Sequence, residues 1–384
     1  MQHHISVILE KSRSDTILTA EDGYRLLHCS EDEVSALLDA ASALRDRDKG
    51  RTVTYSRKVF LPVTNLCRDR CSYCTFRKDP RDPDAWTMRP DEIQTWLERA
   101  QAQGCKEALM CLGDKPENTF SSYRETLASF GHKTTTEYVY RACEMALSYG
   151  LLPHTNAGIM SYDEMKWLKD VNVSLGLMLE NISPRLCERG MAHFSAPDKR
   201  PEVRVQMIRE AGELAIPFTT GILIGIGETR EEVVDSLVAI RDIHQEYGHI
   251  QEVIVQNFRA KPKTRMADAP EPESDEMART VAVARLLLGG QMNLQAPPNL
   301  SPQDHRLLLR AGINDWGGIS PVTMDYVNPE AAWPHLDLLA KTCTEEGFTL
   351  CERLAIYEEY IDRPGFLLPA LRPRTQELQA EVAA

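Results

Sequence analysis

Eight short apolar runs, each followed by a longer amphipathic segment, constrain this 384-residue chain more than any other feature of its sequence. The runs are Lys58 to Val63, Glu107 to Leu112, Leu151 to Asn156, Asn172 to Met178, Phe218 to Ile224, Glu252 to Gln256, Met292 to Ala296 and, more weakly, Ile313 to Trp316. The intervening segments, such as PDEIQTWLERAQAQG with Pro90 near its start, repeat their apolar residues at helical spacing. Such alternation is the mark of βα units and a parallel sheet. Eight units in one chain predict a complete (β/α)8 TIM-type barrel in preference to an open doubly wound sheet. Ser30 and Glu33 make a capping-box pattern ahead of VSALLDAASALRDRD. Residues 1–50 are therefore expected to form an N-terminal helical extension, 51–350 the barrel, and 351–384 a C-terminal segment whose tail from Arg363 is polar. Between the second run and its helix, residues 113–133 form a long insertion.

The loop after the first run, within FLPVTNLCRDRCSYCTFR, carries Cys67, Cys71 and Cys74. In a barrel this loop falls at the C-terminal face, where barrel enzymes place their sites. Three thiolates at C-x3-C-x2-C can ligate three irons of a 4Fe-4S cubane and leave the fourth iron open for chemistry. Arg68 and Arg70 suit a net-anionic cluster. A structural zinc site is the alternative, but zinc normally takes four ligands, and no second Cys or His pair follows at a regular spacing. Of the ten cysteines, Cys29, Cys143, Cys187, Cys343 and Cys351 are expected to be packing residues; Cys105 and Cys111 have no companions for a second cluster. The net charge of −13 argues against a nucleic-acid groove, and a small-molecule substrate is expected instead. A mean hydropathy of −0.36 and the lack of a long apolar run argue against a membrane span. The opening MQHHISVILEKSRSD lacks the pattern of a secretory signal, so a cytoplasmic location is expected.

The C-x3-C-x-aromatic-C loop, with Tyr73 before its third cysteine, resembles that of the radical S-adenosylmethionine (SAM) superfamily. The resemblance implies a 4Fe-4S cluster on Cys67, Cys71 and Cys74, SAM as cosubstrate, and Tyr73 near its adenine. Gly113 and Asp114 resemble the superfamily's Gly-Gly-Glu segment, which meets the methionine amino group, although Gly-Asp is also an ordinary turn. Glu180, directly after the fourth run, is placed to accept from ribose hydroxyls or is a solvated loop carboxylate. Arg204 matches an arginine that pairs with the methionine carboxylate, with Arg200 as a competitor. GILIGIGE, with Leu223 and Gly225, is similar to the superfamily's adenine-binding GxIxGxxE; no GKS or GKT follows Gly227, which rules out a P-loop. Asn257, ending the sixth run, would complete the adenine wall.

FLPVTNLCRDRCSYCTFR, SLGLMLE, TTGILIGIGET, LQAPPNLSP and DWGGISPVTMDYVNPE together resemble the cyclising, CofG-type subunit of 7,8-didemethyl-8-hydroxy-5-deazariboflavin (FO) synthase, from about Arg57 to Glu346. The family's usual KPGTPM pattern is broken here at Lys263 and Arg265. The resemblance implies a radical lyase of coenzyme F420 biosynthesis. Its substrate would be the tyrosine-derived adduct of 5-amino-6-(D-ribitylamino)uracil, converted to FO with release of ammonia. It also implies a CofH-type partner that supplies the adduct, and an external electron donor. Asn299, Asp304, Asp315, Asp325 and Asn328 would contact the ribityl and uracil groups, an ordinary turn or cap role being the alternative for each. A CofH-type or biotin-synthase-like radical enzyme and a non-catalytic metal-binding protein are the competing classes.

Overall fold

The computed structural model describes residues 5–14 and 16–383. Strands β1 (Thr52–Leu61), β2 (Glu107–Cys111), β3 (Leu152–Asn156), β4 (Ser174–Gly176), β5 (Phe218–Ile224), β6 (Ile250–Asn257), β7 (Leu294–Gln295) and β8 (Asp315–Ile319) follow one another around a parallel sheet. Because β1 pairs with both β2 and β8, the sheet closes into the expected eight-stranded barrel. All seven residues of β5, FTTGILI, are buried, as a parallel strand covered on both faces requires.

Among the described residues, three helices precede the barrel, α1 (Ile5–Arg13), α2 (Ala20–Leu27) and α3 (Glu31–Lys49). The Ser30–Glu33 capping box starts α3 and Gly50 ends it at φ +66°. The fully buried Arg45 ties α3 to the barrel by donating to the carbonyls of Leu309 and Ile313, each at 2.8 Å. The remaining helices are α4 (Pro90–Ala102), α5 (Ser121–Ser129), α6 (Thr135–Ser148), α7 (Tyr162–Leu168), α8 (Pro201–Glu213), α9 (Arg230–Tyr247), α10 (Ser274–Leu288), α11 (His305–Arg310), α12 (Leu336–Glu345), α13 (Glu358–Ile361) and α14 (Arg372–Ala383). The insertion of residues 113–133 is ordered around α5. No described helix is long and apolar enough to cross a membrane.

Two features depart from the sequence expectation. β1 begins six residues earlier than its apolar run, because its lower half pairs with a ninth strand, β9 (Thr349–Arg353), in the register Thr52 to Thr349 and Ser56 to Arg353. The boundary expected at residue 350 therefore falls inside a strand. The tail from Arg363 is not a polar appendage either: Phe366, Leu367, Leu371 and Leu378 are buried with Leu152, Val173 and Ile356 in a second core. Its few apolar residues are spread among charges, which hid the packing in the sequence.

Arg353, at the end of β9, enters the barrel from below. Its guanidinium meets Asp315 at 2.6 and 2.9 Å and Glu252 at 2.7 Å, and Tyr357 donates to the same Glu252 oxygen at 3.0 Å. Removing one partner of such a buried set strands the others. Arg353→Met is expected to destabilise the protein by about 3–5 kcal/mol, measured by chemical denaturation; a change below about 1 kcal/mol would show that β9 is held by its backbone pairing alone.

Candidate active site

The C-terminal ends of the strands surround a cavity of about 320 Å³. Its position follows from how the loop after β1 is tied down. Asn65 closes the base of that loop, accepting from Trp86 N at 2.7 Å and donating to Asp84 O at 2.8 Å. On one side the loop rests against the end of β2, where Gly113 N donates to Thr64 O, Arg68 N to Asp114 O, and Asp114 N to Cys67 Sγ at 3.1 Å. A Cβ on Gly113 would lie 1.9 Å from Leu66 O and 2.8 Å from Cys67 Cβ, so only glycine permits this approach. On the other side, Arg70 N donates to Ser195 O and Ser72 N to Ala192 O.

Cys67, Cys71 and Cys74 all line the cavity, and all three are free thiols. Burial pushes Cys67 up to about 12 and raises Cys71 well above the usual thiol range. Thiolates in such a place need a cationic partner, which iron supplies. Among the described residues, one group of three acidic, Cys or His ligand atoms lies mutually within 4.8 Å, and it is Asp69, Asp114 and Asp198 rather than the thiols. Around a single tetrahedral zinc, three sulfurs would stand about 3.8 Å apart, given Zn–S bonds of about 2.3 Å, and the three thiols are not gathered so closely.

The three carboxylates form a buried acidic knot behind the loop. Asp198 is paired with the Arg68 guanidinium, and Asp69 accepts from Asp198 N at 3.2 Å. Burial, then Asp198 and Asp69, push Asp114 up to about 8. Asp114 nevertheless accepts from Ile159 N at 3.1 and 3.2 Å. Asp69 Oδ2 is buried with no hydrogen-bond partner, and Asp69 is among the residues that line the cavity.

Glu180 adopts φ +64°, a left-handed conformation that costs a glutamate roughly 1–2 kcal/mol. β4 ends at Gly176, short of the expected Met178, and beyond it the chain stays beside β5 through Glu180 N to Gly221 O and Leu223 N to Glu180 O. The bent backbone sets the carboxylate into the cavity, 2.5 Å from Lys199 Nζ. Burial alone would raise Glu180, but Lys199 and Arg204 overcome it and hold the carboxyl below its usual range. Arg204 is spent locally, donating to Met178 O at 2.6 Å and Asp198 O at 2.9 Å. Tyr73 and His193 are hydrogen-bonded at 3.0 Å, with His193 lowered to about 3 by burial and then by Lys199, and so neutral.

Leu223 and Asn257 line the same cavity, as do Asn299, Asp325 and Asn328. Asp325 is the hub of its wall, accepting from Asn299 Nδ2 at 2.9 Å, Asn328 Nδ2 at 3.1 Å and two backbone amides. Three expected site residues lie elsewhere. Gly225, at φ +90°, turns the chain behind the wall, where a Cβ would strike Pro272 at 2.5 Å. Asp304 accepts from Ser274 Oγ at 2.8 Å and joins α10 to α11. Asp315 opens β8 and so sits at the opposite end of the barrel, in the Arg353 network; the strand starts two residues later than its apolar run suggested.

Lys199, His193 and Lys58 were missed by sequence reasoning. Lys199 adjoins Arg200, which caps α8 outside the cavity, and a cation just ahead of the helix that follows the Glu180 strand was the available signal. Cys111 lines the cavity, its thiol pushed up to about 12 by burial, whereas Cys105 is buried elsewhere.

A model of the radical SAM superfamily matches residues 61–240. Among solved structures, the FeFe-hydrogenase maturase HydG from Carboxydothermus hydrogenoformans superposes with a TM-score of 0.72 at 17% identity, over 98% of this chain and 93% of that one. Methylornithine synthase gives 0.69 at 19%, over 89% and 97%. These likenesses show the barrel fold. The FO synthase of Nocardia farcinica is 47% identical over 98% of this chain, but this chain spans only 44% of its length. The 7,8-didemethyl-8-hydroxy-5-deazariboflavin synthase of Methanopyrus kandleri is 49% identical over 81% of this chain and 93% of its own length. Superfamily membership implies a 4Fe-4S cluster and a SAM cosubstrate. With nearly the whole Methanopyrus protein matched at that identity, the chain belongs to the 7,8-didemethyl-8-hydroxy-5-deazariboflavin synthase family of radical SAM enzymes.

Proposed function

We propose that this chain is the CofG-type cyclase, which converts the tyrosine-derived adduct of 5-amino-6-(D-ribitylamino)uracil into FO with release of ammonia. The observation that carries this reading is the meeting in one cavity of the three-thiol loop with two further sets of polar groups, one around Glu180 and one around Asp325. One set suits a cosubstrate and the other a second, hydroxyl-rich molecule.

Cys67, Cys71 and Cys74 hold the cluster, and the donor set fits it: three free thiols on one loop at the wall of a pocket. When bound and reduced, the cluster supplies the electron that divides SAM into methionine and a 5'-deoxyadenosyl radical. The unpaired acceptor Asp69 Oδ2, on a residue that lines the cavity with Gly113 and Asp114, suits the cosubstrate's ammonium. The Glu180–Lys199 pair offers both an acceptor for ribose hydroxyls and a cation for the methionine carboxylate. Arg204 keeps the ends of that site in place through two backbone carbonyls. Tyr73, Leu223 and Asn257 take the adenine, and Asn299, Asp325 and Asn328 take the adduct. The barrel positions the two molecules and keeps water from the reacting carbon.

The adduct comes from a CofH-type partner, and the electron from an external donor. The Nocardia relative's greater length supports a second unit that works with one of this kind.

Cys67→Ala, Cys71→Ala and Cys74→Ala are each expected to lose stable four-iron binding, while Cys105→Ala and Cys111→Ala retain it. Iron and sulfide analysis after anaerobic reconstitution decides, and a full cluster in Cys71→Ala would sink the assignment. Glu180→Gln should keep its iron but bind SAM about 1.5–3 kcal/mol more weakly, roughly one to two powers of ten. Calorimetry that shows unchanged binding would remove Glu180 from the cosubstrate site. The reconstituted chain given reductant, SAM and the partner's adduct should make the deazaflavin chromophore, with deoxyadenosine formed in proportion. Tyrosine and the diaminouracil supplied separately should give little. If the chain alone consumed tyrosine and released the joined adduct, it would belong to the partner class.

A further inference from the structure

Lys58 differs from the five other cations that line the cavity. Lys199 is paired with Glu180, Arg77 with Asp79 and Arg259 with Glu271, Arg204 donates to backbone carbonyls, and Lys261 donates to Val327 O at 2.8 Å and Asn328 Oδ1 at 2.6 Å. Lys58 is only 9% exposed, yet its ammonium makes no hydrogen bond or ion pair with any described residue. A lysine on a barrel strand ordinarily reaches water with its head group. This one is held inside. Its stem fills the slot left by Gly318, where a Cβ would fall 2.3–2.4 Å from Lys58 Cδ, Cε and Nζ. Its Nζ stands 5.5 Å from the centre of the Trp333 ring and 5.9 Å from that of Phe60.

The carboxylate of this half of the cavity does not neutralise it, because both oxygens of Asp325 are taken by Asn299, Asn328 and Val327. The ammonium is not among the enclosed atoms and meets the open cavity, so a ligand that fills the cavity shuts it from water and is favourable only when it brings an acceptor. Asn299 Oδ1 complements it as a buried acceptor without a donor. The substrate half of the cavity is thus short of one acceptor and one donor.

We propose that Lys58 is the specificity-determining residue for the substrate's oxygenated planar ring, donating to a ring oxygen in the space bounded by Trp333 and Phe60. This rests on the function proposed above. In the adduct, two kinds of oxygen have this chemistry, a pyrimidine carbonyl and the phenol oxygen. A ring that lacks the oxygen is rejected because it leaves the ammonium buried and unpaired.

The test titrates the cluster-loaded protein with FO and with its 8-deoxy analogue, followed by deazaflavin fluorescence, for the wild type, Lys58→Met and Lys58→Arg. Lys58→Met is expected to bind FO at least tenfold more weakly with its iron content and SAM affinity unchanged, and Lys58→Arg to lose less. An equal loss for the 8-deoxy analogue assigns the contact to a carbonyl; an analogue bound alike by wild type and Lys58→Met assigns it to the phenol oxygen. If Lys58→Met does not hold its cluster, Lys58→Gln takes its place with the same expectation. FO bound equally with and without the lysine overturns the proposal alone. A wild type that binds neither ligand overturns the cyclase reading together with it.

Discussion

The site depends on one close approach, the backbone of Gly113 against Leu66 and Cys67. The end of β2 and the loop after β1 come so near that a single added carbon would lie 1.9 Å from a carbonyl oxygen. That contact lets Asp114 N reach Cys67 Sγ and fixes the first thiol on the barrel itself. The other two thiols follow, because Arg70 and Ser72 between them are bonded to the segment that carries Ser195 and Ala192. The same segment continues to Asp198 and Lys199. The cluster loop is therefore clamped between a strand end and the segment that supplies Lys199, so the positions of the thiols and of the Glu180–Lys199 pair are coupled through few covalent links.

This coupling has an electrostatic counterpart. Asp69, Asp114 and Asp198 lie together in a place with little water, and they persist there because the neighbouring charges compensate. Arg68 takes Asp198, backbone amides serve Asp69 and Asp114, and a raised Asp114 relieves part of the repulsion. What stays unpaired is one oxygen of Asp69, a residue that lines the cavity together with the thiols. An acceptor left over in an otherwise paired knot is the arrangement that a cationic ligand completes.

Most of the barrel was legible in the sequence because parallel strands buried on both faces read as continuous apolar runs, as β5 does without error at either end. Strands that carry polar interior residues were harder. The lower half of β1, TVTYSR, and the whole of β9, TLCER, hold Thr54, Ser56 and Arg353 inside the barrel, where each has a partner that appears only when distant segments meet. Asp315 was misplaced for the same reason: a carboxylate beside a strand end looks like a site residue until its arginine, thirty-eight positions later, is seen to arrive from below. The thiols, read from their spacing, line the cavity, as do Glu180 and Asp114, read from their places after apolar runs and from a resemblance. Lys58 was not read as a site residue, since nothing local tells a lysine that will turn into the barrel from one that will reach solvent.

The two ends of the barrel treat buried charge in opposite ways, and this division favours a cavity with one working face. Below, Arg353, Asp315, Glu252 and Tyr357 join in a network whose members bond to one another. Such a set is rigid, gains little from any ligand, and plugs the barrel from that side. Above, Lys58 Nζ faces the Phe60 and Trp333 rings but no acceptor, and Asn299 Oδ1 and Asp69 Oδ2 have no hydrogen-bond partner, all three on residues that line the cavity. Other buried atoms without hydrogen-bond partners lie away from the cavity, among them Arg57 Nε, Glu352 Oε1 and His249 Nδ1, so a missing partner points to a ligand only where the residue also lines the cavity. At Lys58, Asn299 and Asp69 the bound molecules would supply it. A radical generated beside the thiols would then meet a substrate held by groups that have no competing bond to break, against a floor that water does not enter from beneath.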